Sequence, residues 1–334
     1  MRKVVILLLL SGLVTVGVGG SRAKYRLKVA FQAPERSAWG RSLQTVAREI
    51  ERETKGQLKI KVYAGGIQGN EATVLRKIRI GQLQGAGFVG SGLVETCPDS
   101  LVLNLPLIFQ SEGEADFVLK RMRSSLEEQC RKNGYEVLGW SPFGFSYMFS
   151  KERIESIAQL RQSKPWLMSN DPLAENLFET LSVVPVTTSI ANVLTGLQSG
   201  LVRTVFCPPA LLIALQWHSR VEYRLDIRIG YSFGVMMLAK KSWDRLPPDI
   251  QAIVKRTFKK HNDLLTKKVR AQNQDALDAI AKRGIETVEI KPDSREQLLQ
   301  ATQEVGERLS GQHFSRTALA RVKQLVNEYR SQSR

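Results

Sequence analysis

The run from Gln159 to Pro209 constrains the fold more than any other part of the chain. Within it, PWLMS is a short apolar segment of the kind that forms a buried strand. Ser169, Asn170 or Asp171 can cap the helix that follows, with Pro172 in its first turn and Glu175 close behind. Leu173, Leu177, Phe178 and Leu181 recur at helical spacing. VVPVTT reads as a second strand, Ile190 to Leu201 as a second helix with Gly200 near its end, and TVFC as a third strand stopped by Pro208 and Pro209. Strands that alternate with helices in this way favour a parallel sheet, because parallel neighbours need helical crossovers. Ligands of open sheets of that kind sit beyond the carboxyl ends of the strands. Here those ends carry Trp166, Met168, Ile190, Phe206 and Cys207. A site on this edge is mostly apolar.

The 334 residues, 43% of them hydrophobic, suffice for two ordinary domains. Arg2 and Lys3 precede an apolar run from Val4 to about Val18, and Ser21 to Ala23 supplies small residues two apart. That is the layout of a cleavable secretory signal, with cleavage near Ala23. Export to the periplasm follows, with no stable membrane insertion after cleavage. Removing Arg2, Lys3 and Arg22 lowers the net charge from +17 to +14. The basic residues are scattered along helices among acids, as in REIERETKGQLKIK, so a solvated surface is expected rather than a nucleic-acid partner. An exported chain can pair Cys97 with Cys130, although an odd set of three leaves Cys207 over.

Elsewhere YRLKVAFQ and LKIKVYAGG alternate as strands, and Trp39 to Thr54 is amphipathic with Leu43, Val46, Ala47 and Ile50 on one face. QGAGFVGSG reads as a buried strand with a Gly-rich exit. Gly134 to Ser150 is strand-like and carries Phe143, Phe145, Tyr147 and Phe149, of which about half are expected in the core. Pro248 to Arg283 is one uninterrupted helical pattern, about 50 Å long at 1.5 Å per residue, enough to bridge two lobes.

Enzymatic signals are weak. His218, His261 and His313 stand apart from one another, Ser91 and Ser146 miss the nucleophile-elbow pattern, and no phosphate loop follows Gly65 and Gly66. Neither a reaction nor a cofactor is expected. An exported hydrolase and a basic surface-binding module stand behind the main reading.

Several segments together resemble the solute-binding proteins of tripartite ATP-independent periplasmic (TRAP) transporters, of the DctP type. They are SAWG, VYAGGIQGNE, IRIGQLQGAGFVGSGL, LNLPLIF, TGLQSGLV and KKSWDRLPPDIQ, in that order behind a signal. The resemblance implies an α/β, two-lobed periplasmic-binding-protein fold with hinge strands and a long lobe-spanning helix. It assigns residues 24–146 plus about 231–270 to the first lobe, and 147–230 plus about 271–334 to the second. It implies a ligand trapped between the lobes and delivery to membrane permease subunits. Ligand contacts are then expected from Trp39, Phe88, Ser91, Phe145, Ser146, Trp166, Met168, Ile190, Phe206 and Cys207.

The chain departs from the family pattern at its carboxylate grip. Trp166 stands where relatives of this type place an Arg, Ser146 follows Gly144-Phe145 where a second Arg is common, and Cys207 takes an Asn position. Arg holds carboxylates through two parallel charge-assisted hydrogen bonds, which Trp and Ser cannot supply. A small apolar or amphipathic, lipid-like ligand is therefore expected, with an organic acid as the alternative.

Overall fold

One strand belongs to both halves of this molecule, and the remaining elements are arranged about it. The computed structural model describes residues 23–332; the expected signal lies outside the described residues except for Ala23. In chain order the strands are β1 (Tyr25–Ala30), β2 (Leu58–Tyr63), β3 (Gly85–Phe88), β4 (Tyr135–Ser150), β5 (Trp166–Leu167), β6 (Val186–Thr187), β7 (Thr204–Cys207), β8 (Tyr223–Leu225), β9 (Gly230–Ala239) and β10 (Glu286–Val288). From Tyr135 to Ser146, β4 pairs antiparallel with β9, which leads through β3 and β1 to β2. From Tyr147 to Ser150 it pairs instead with β7 on one side and, at Phe149 and Ser150, with β8 on the other. The partner change between Ser146 and Tyr147 separates two groups of strands, and the fold as a whole is two-lobed, with sheets covered by helices. β5 and β6 pair in parallel and join β7 through a bridge from Pro165 to Thr204, as the strand–helix alternation predicted.

The helices start where local chemistry places them. Ser37, Asn70, Ser111 and Ser156 each accept a backbone N–H of the first turn, and Asp171 caps Pro172–Thr180 by accepting from Leu173 and Ala174. Gly200, at φ 77°, closes Val193–Ser199 in the left-handed conformation that a Cβ would strain. Between β3 and the Glu112–Lys132 helix, Cys97 and Cys130 form a disulfide with Cα atoms 4.7 Å apart.

The long helix, Pro248–Lys282, spans 35 residues. Its first half lays Ile250, Val254, Phe258, Leu265 and Val269 into the core shared with helix Ala38–Glu53 and β1. Its last turns place Ile280 in the core that continues into the second lobe. Asn273 sits at the crossing. Its Nδ2 donates to Phe143 O at 3.0 Å, and its Oδ1 accepts from Ala210 N at 3.0 Å. A Cβ on Gly144 would come within 2.3 Å of that Nδ2, so glycine is needed where helix and strand meet.

One expectation changes here. Phe143, Phe145, Tyr147 and Phe149 are all buried, not half of them, because β4 is covered on both faces and bends at shifts after Val137 and Pro142. The expected lobe limits put residues 271–334 with the second lobe; within that span helix Pro292–Leu309 packs on Pro172–Thr180, whereas Arg316–Gln332 packs on Glu112–Lys132. Helix Arg316–Gln332 packs Tyr329 edge-on against Phe117 at 5.3 Å. Arg330 donates to buried Glu114 at 2.8 Å, so the partner for that carboxylate comes from the far end of the chain.

The disulfide closes a loop of 33 residues. Replacing both cysteines by alanine is expected to lower unfolding free energy by about 3 kcal/mol. Urea denaturation of the double variant checks this; a change below about 1 kcal/mol would mean that buried packing alone holds these helices together.

Candidate functional site

The carboxyl ends of β1 and β3 face those of β5 and β7 across a cavity of 280 Å³. The first lobe contributes Phe31, Gln32, Gly87, Val89 and Gly90. The second contributes Trp166, Met168, Ile190, Phe206 and Cys207, and Ser146 lines the cavity from the crossing strand. Met168 reaches over the gap, since a Cβ on Gly90 would lie 3.0 Å from its Cε. The cavity continues past the cleft beneath helix Pro172–Thr180, where Leu173, Leu177 and Phe178 line it, to Leu160, Ile290 and Leu298. It thus reaches into the apolar interior of the second lobe.

The walls are rigid for identifiable reasons. Trp166 donates its Nε1–H to Thr188 O at 2.9 Å and packs edge-on to Trp217 at 5.3 Å. Phe206 meets Phe178 at 5.7 Å. Cys207 is buried, and burial pushes its thiol well above the usual range, which keeps it protonated and makes it a wall rather than a nucleophile.

Two carboxyl groups face this apolar space, one from each lobe. Glu71 accepts from Val89 N at 2.8 Å, Gly90 N at 3.2 Å and Gly92 N at 2.8 Å, and so fixes the loop after β3 that forms one wall. Burial raises its pKa against the lowering effect of those donors, and Asp171 adds to the rise. Asp171 is raised by burial as well. No Arg, Lys or His is found among the described residues that line the cavity.

Not every expected contact reaches the cleft. Trp39 stacks on Phe143 at 4.6 Å and donates to Pro142 O, one layer behind the lining. Phe88 points to the opposite face of β3 from Gly87, because side chains alternate along a strand; a Cβ on Gly92 would strike its ring. Phe145 is turned away from Ser146 for the same reason and packs on Tyr231 at 4.9 Å. Ser91 opens helix Ser91–Thr96, next to the lining residue Gly90. The sequence reading missed Leu173, Leu177 and Phe178, whose helical spacing is equally that of a core-facing stripe. It also missed Asp171 as a lining group, having read it only as a cap.

A family described as bacterial extracellular solute-binding protein, family 7 (DctP) matches residues 29–312. The chain is 23% identical over 236 residues to a solute-binding protein of Verminephrobacter eiseniae, covering 70% of each. It superposes with a TM-score of 0.83 on the sugar acid binding protein DctPAm of Advenella mimigardefordensis in complex with galactonate, at 18% identity, covering 92% of this chain and 99% of that one. It does so with a TM-score of 0.81 on a TRAP periplasmic solute-binding protein of Sulfurospirillum deleyianum with bound succinate, at 18% identity, covering 91% and 99%.

The raised pKa of Glu71 has a signed consequence. Above the ordinary carboxylate range the unfolded chain has lost a proton that the folded chain still holds. The stability contributed by that proton is fully present below the range and falls as pH rises through the folded value. The unfolding free energy of wild type minus that of Glu71→Gln, which does not titrate, should therefore decrease as pH rises from about 4 to about 8. Urea unfolding at stepped pH measures it, and a difference that grows with pH would contradict the assignment.

Proposed function

Since the chain belongs to family 7 of the bacterial extracellular solute-binding proteins, the DctP family of TRAP receptors, we propose that its cleft takes a small molecule with an apolar body and passes it to TRAP membrane subunits. One observation carries the ligand reading: the cavity is apolar, extends beneath helix Pro172–Thr180 as far as Leu298, and has no cationic side chain among its described lining residues. An anion entering that space would shed its hydration without a positive partner, at a cost of several kcal/mol. An alkyl or aryl body gains about 25 cal/mol for each Å² it removes from water. The residues proposed to touch it are Ser146, Trp166, Met168, Ile190, Phe206 and Cys207, with Leu173, Leu177 and Phe178 along the deeper part.

The lobe limits go with this reading. A division at Ser146/Tyr147 is supported by the change of partners along β4, and the C-terminal helix Arg316–Gln332 is assigned to the first lobe by its packing. Release would proceed by hinge motion about β4 and β9, with the long helix accommodating the change near Asn273. Removal of the signal near Ala23 places the receptor in the periplasm.

An organic acid is the second reading, and the relatives favour it: the superposed receptors are described as bound to galactonate and to succinate. In this cleft such a ligand would need a cation delivered from outside the present lining.

The two readings separate in one pair of measurements. Protein isolated from an exporting host, extracted with organic solvent and analysed by mass spectrometry, should yield an amphipathic molecule at near-equal stoichiometry. Titration calorimetry of the stripped protein with galactonate and succinate should give no binding heat. Tight acid binding with nothing apolar recovered establishes the organic-acid reading in its place.

A further inference from the structure

The edge of the first lobe's sheet opposite the cleft carries a second concavity, of 820 Å³. β1 connects the two. Tyr25 at its start lines this groove, and Phe31 just beyond its end lines the cleft. At about 3.3 Å per residue they lie ~20 Å apart. The groove is built from four places: the start of β1, the last turn of helix Glu71–Arg79, the turn into β4 at Asn133 to Tyr135, and the Lys240–Trp243 turn after β9.

Its charge is one-sided. Lys24, Arg26, Arg79, Lys241 and Arg245 line it and are exposed, and none of its described lining residues is acidic. Arg79 pairs with Glu95 outside the groove, while the other four form no ion pair among the described residues. Other cations of the same lobe behave differently: Lys255 meets Glu136, Arg256 meets Glu53 and Lys260 meets Glu49. Four unpaired like charges around one concavity repel one another unless an anion is brought to them. Beside them Ile80, at 70% exposure, is among the most exposed large apolar side chains of the described chain.

We propose that this groove docks the first lobe onto an anionic lipid bilayer. Clustered Lys and Arg side chains are drawn to acidic headgroups, and an apolar side chain at their rim can enter the headgroup boundary. The course of the chain supports the same occupant. The apolar run from Val4 to about Val18 ends shortly before Lys24, so the polypeptide enters the fold from this groove. If the signal is removed near Ala23, the new α-amino group adds a sixth positive charge here. Docking through this edge leaves the cleft on the opposite edge open for loading, and it does not depend on which ligand the cleft takes.

The test uses protein with the N-terminus that an exporting host leaves on it, co-sedimented with two kinds of vesicle. One kind is phosphatidylcholine alone; the other contains about 30% phosphatidylglycerol, and both are run at about 50 mM and about 300 mM salt. The protein should sediment with the anionic vesicles only, and less at the higher salt. Arg26→Gln/Lys241→Gln/Arg245→Gln should weaken that binding by about a hundredfold. Lys267→Gln/Lys268→Gln/Lys282→Gln, an equal loss of charge on exposed positions of the long helix, should change it less than about threefold. Should the first triple melt early, Lys241→Gln/Arg245→Gln serves, with a loss of about tenfold or more. Equal losses in both sets, no sedimentation with anionic vesicles, or binding to a DNA duplex without binding to vesicles would each overturn the proposal.

Discussion

The backbone change of partners between Ser146 and Tyr147 is the constraint from which the rest of this molecule follows. A single strand, β4, supplies the last position of one sheet and a central position of the other. Two lobes that share a strand cannot separate, yet they can rotate about it. The cleft therefore lies where the strand passes from one sheet to the other, and Ser146 is part of its wall. Asn273 holds the long helix to both halves at the same level, through Phe143 O on one side and Ala210 N on the other. Asn273 is itself buried and both bonds are directional, so they fix where the helix crosses.

The electrostatics of the cleft are set by the same geometry. Glu71 and Asp171 are each used by their own lobe, one to hold the loop after β3 and the other to cap Pro172–Thr180. The described lining of the cavity holds no Arg, Lys or His, and burial raises the pKa of both carboxyl groups. A carboxyl that resists ionisation is compatible with an apolar surrounding, whereas two ionised ones facing each other would tend to push the lobes apart. The polar groups thus act as framework, and the space left for a ligand is bounded chiefly by hydrocarbon and aromatic rings.

Much of this was legible in the sequence, and the misses have a common cause. The amphipathic helix from about Trp39, the long helix and the cap at Asp171 announce themselves through spacing and end residues, which are local properties. The strand ends at Trp166, Met168, Phe206 and Cys207 also fall on the cavity, because the parallel arrangement of β5, β6 and β7 dictates that edge. Phe88 and Phe145 were misplaced by a single residue each: the alternation of a strand sends them to the face opposite Gly87 and Ser146. A register of that kind depends on which face the neighbouring helices cover, and this is not written in the strand itself. Leu173, Leu177 and Phe178 were unreadable for the converse reason, since a helix stripe facing a cavity has the same spacing as one facing a packed core. The packing of Arg316–Gln332 against Glu112–Lys132 brings Arg330 to Glu114, a pairing between residues 216 apart that no local pattern announces.

On the proposed reading, Trp166 in place of a carboxylate-gripping Arg changes the solvent that the cleft offers rather than the architecture. The order of elements and the match to the family persist with Trp166 at the start of β5. What the exchange alters is the free energy of the space enclosed. With a guanidinium there, a carboxylate would recover on binding much of what it loses on leaving water. With Trp166 tied to Thr188 O and wedged against Trp217, the ring cannot turn aside to admit a distant cation without breaking that hydrogen bond. The aromatic wall and a described lining without a cation reinforce each other, and under the apolar-ligand proposal the extension beneath Pro172–Thr180 gives room for a longer body.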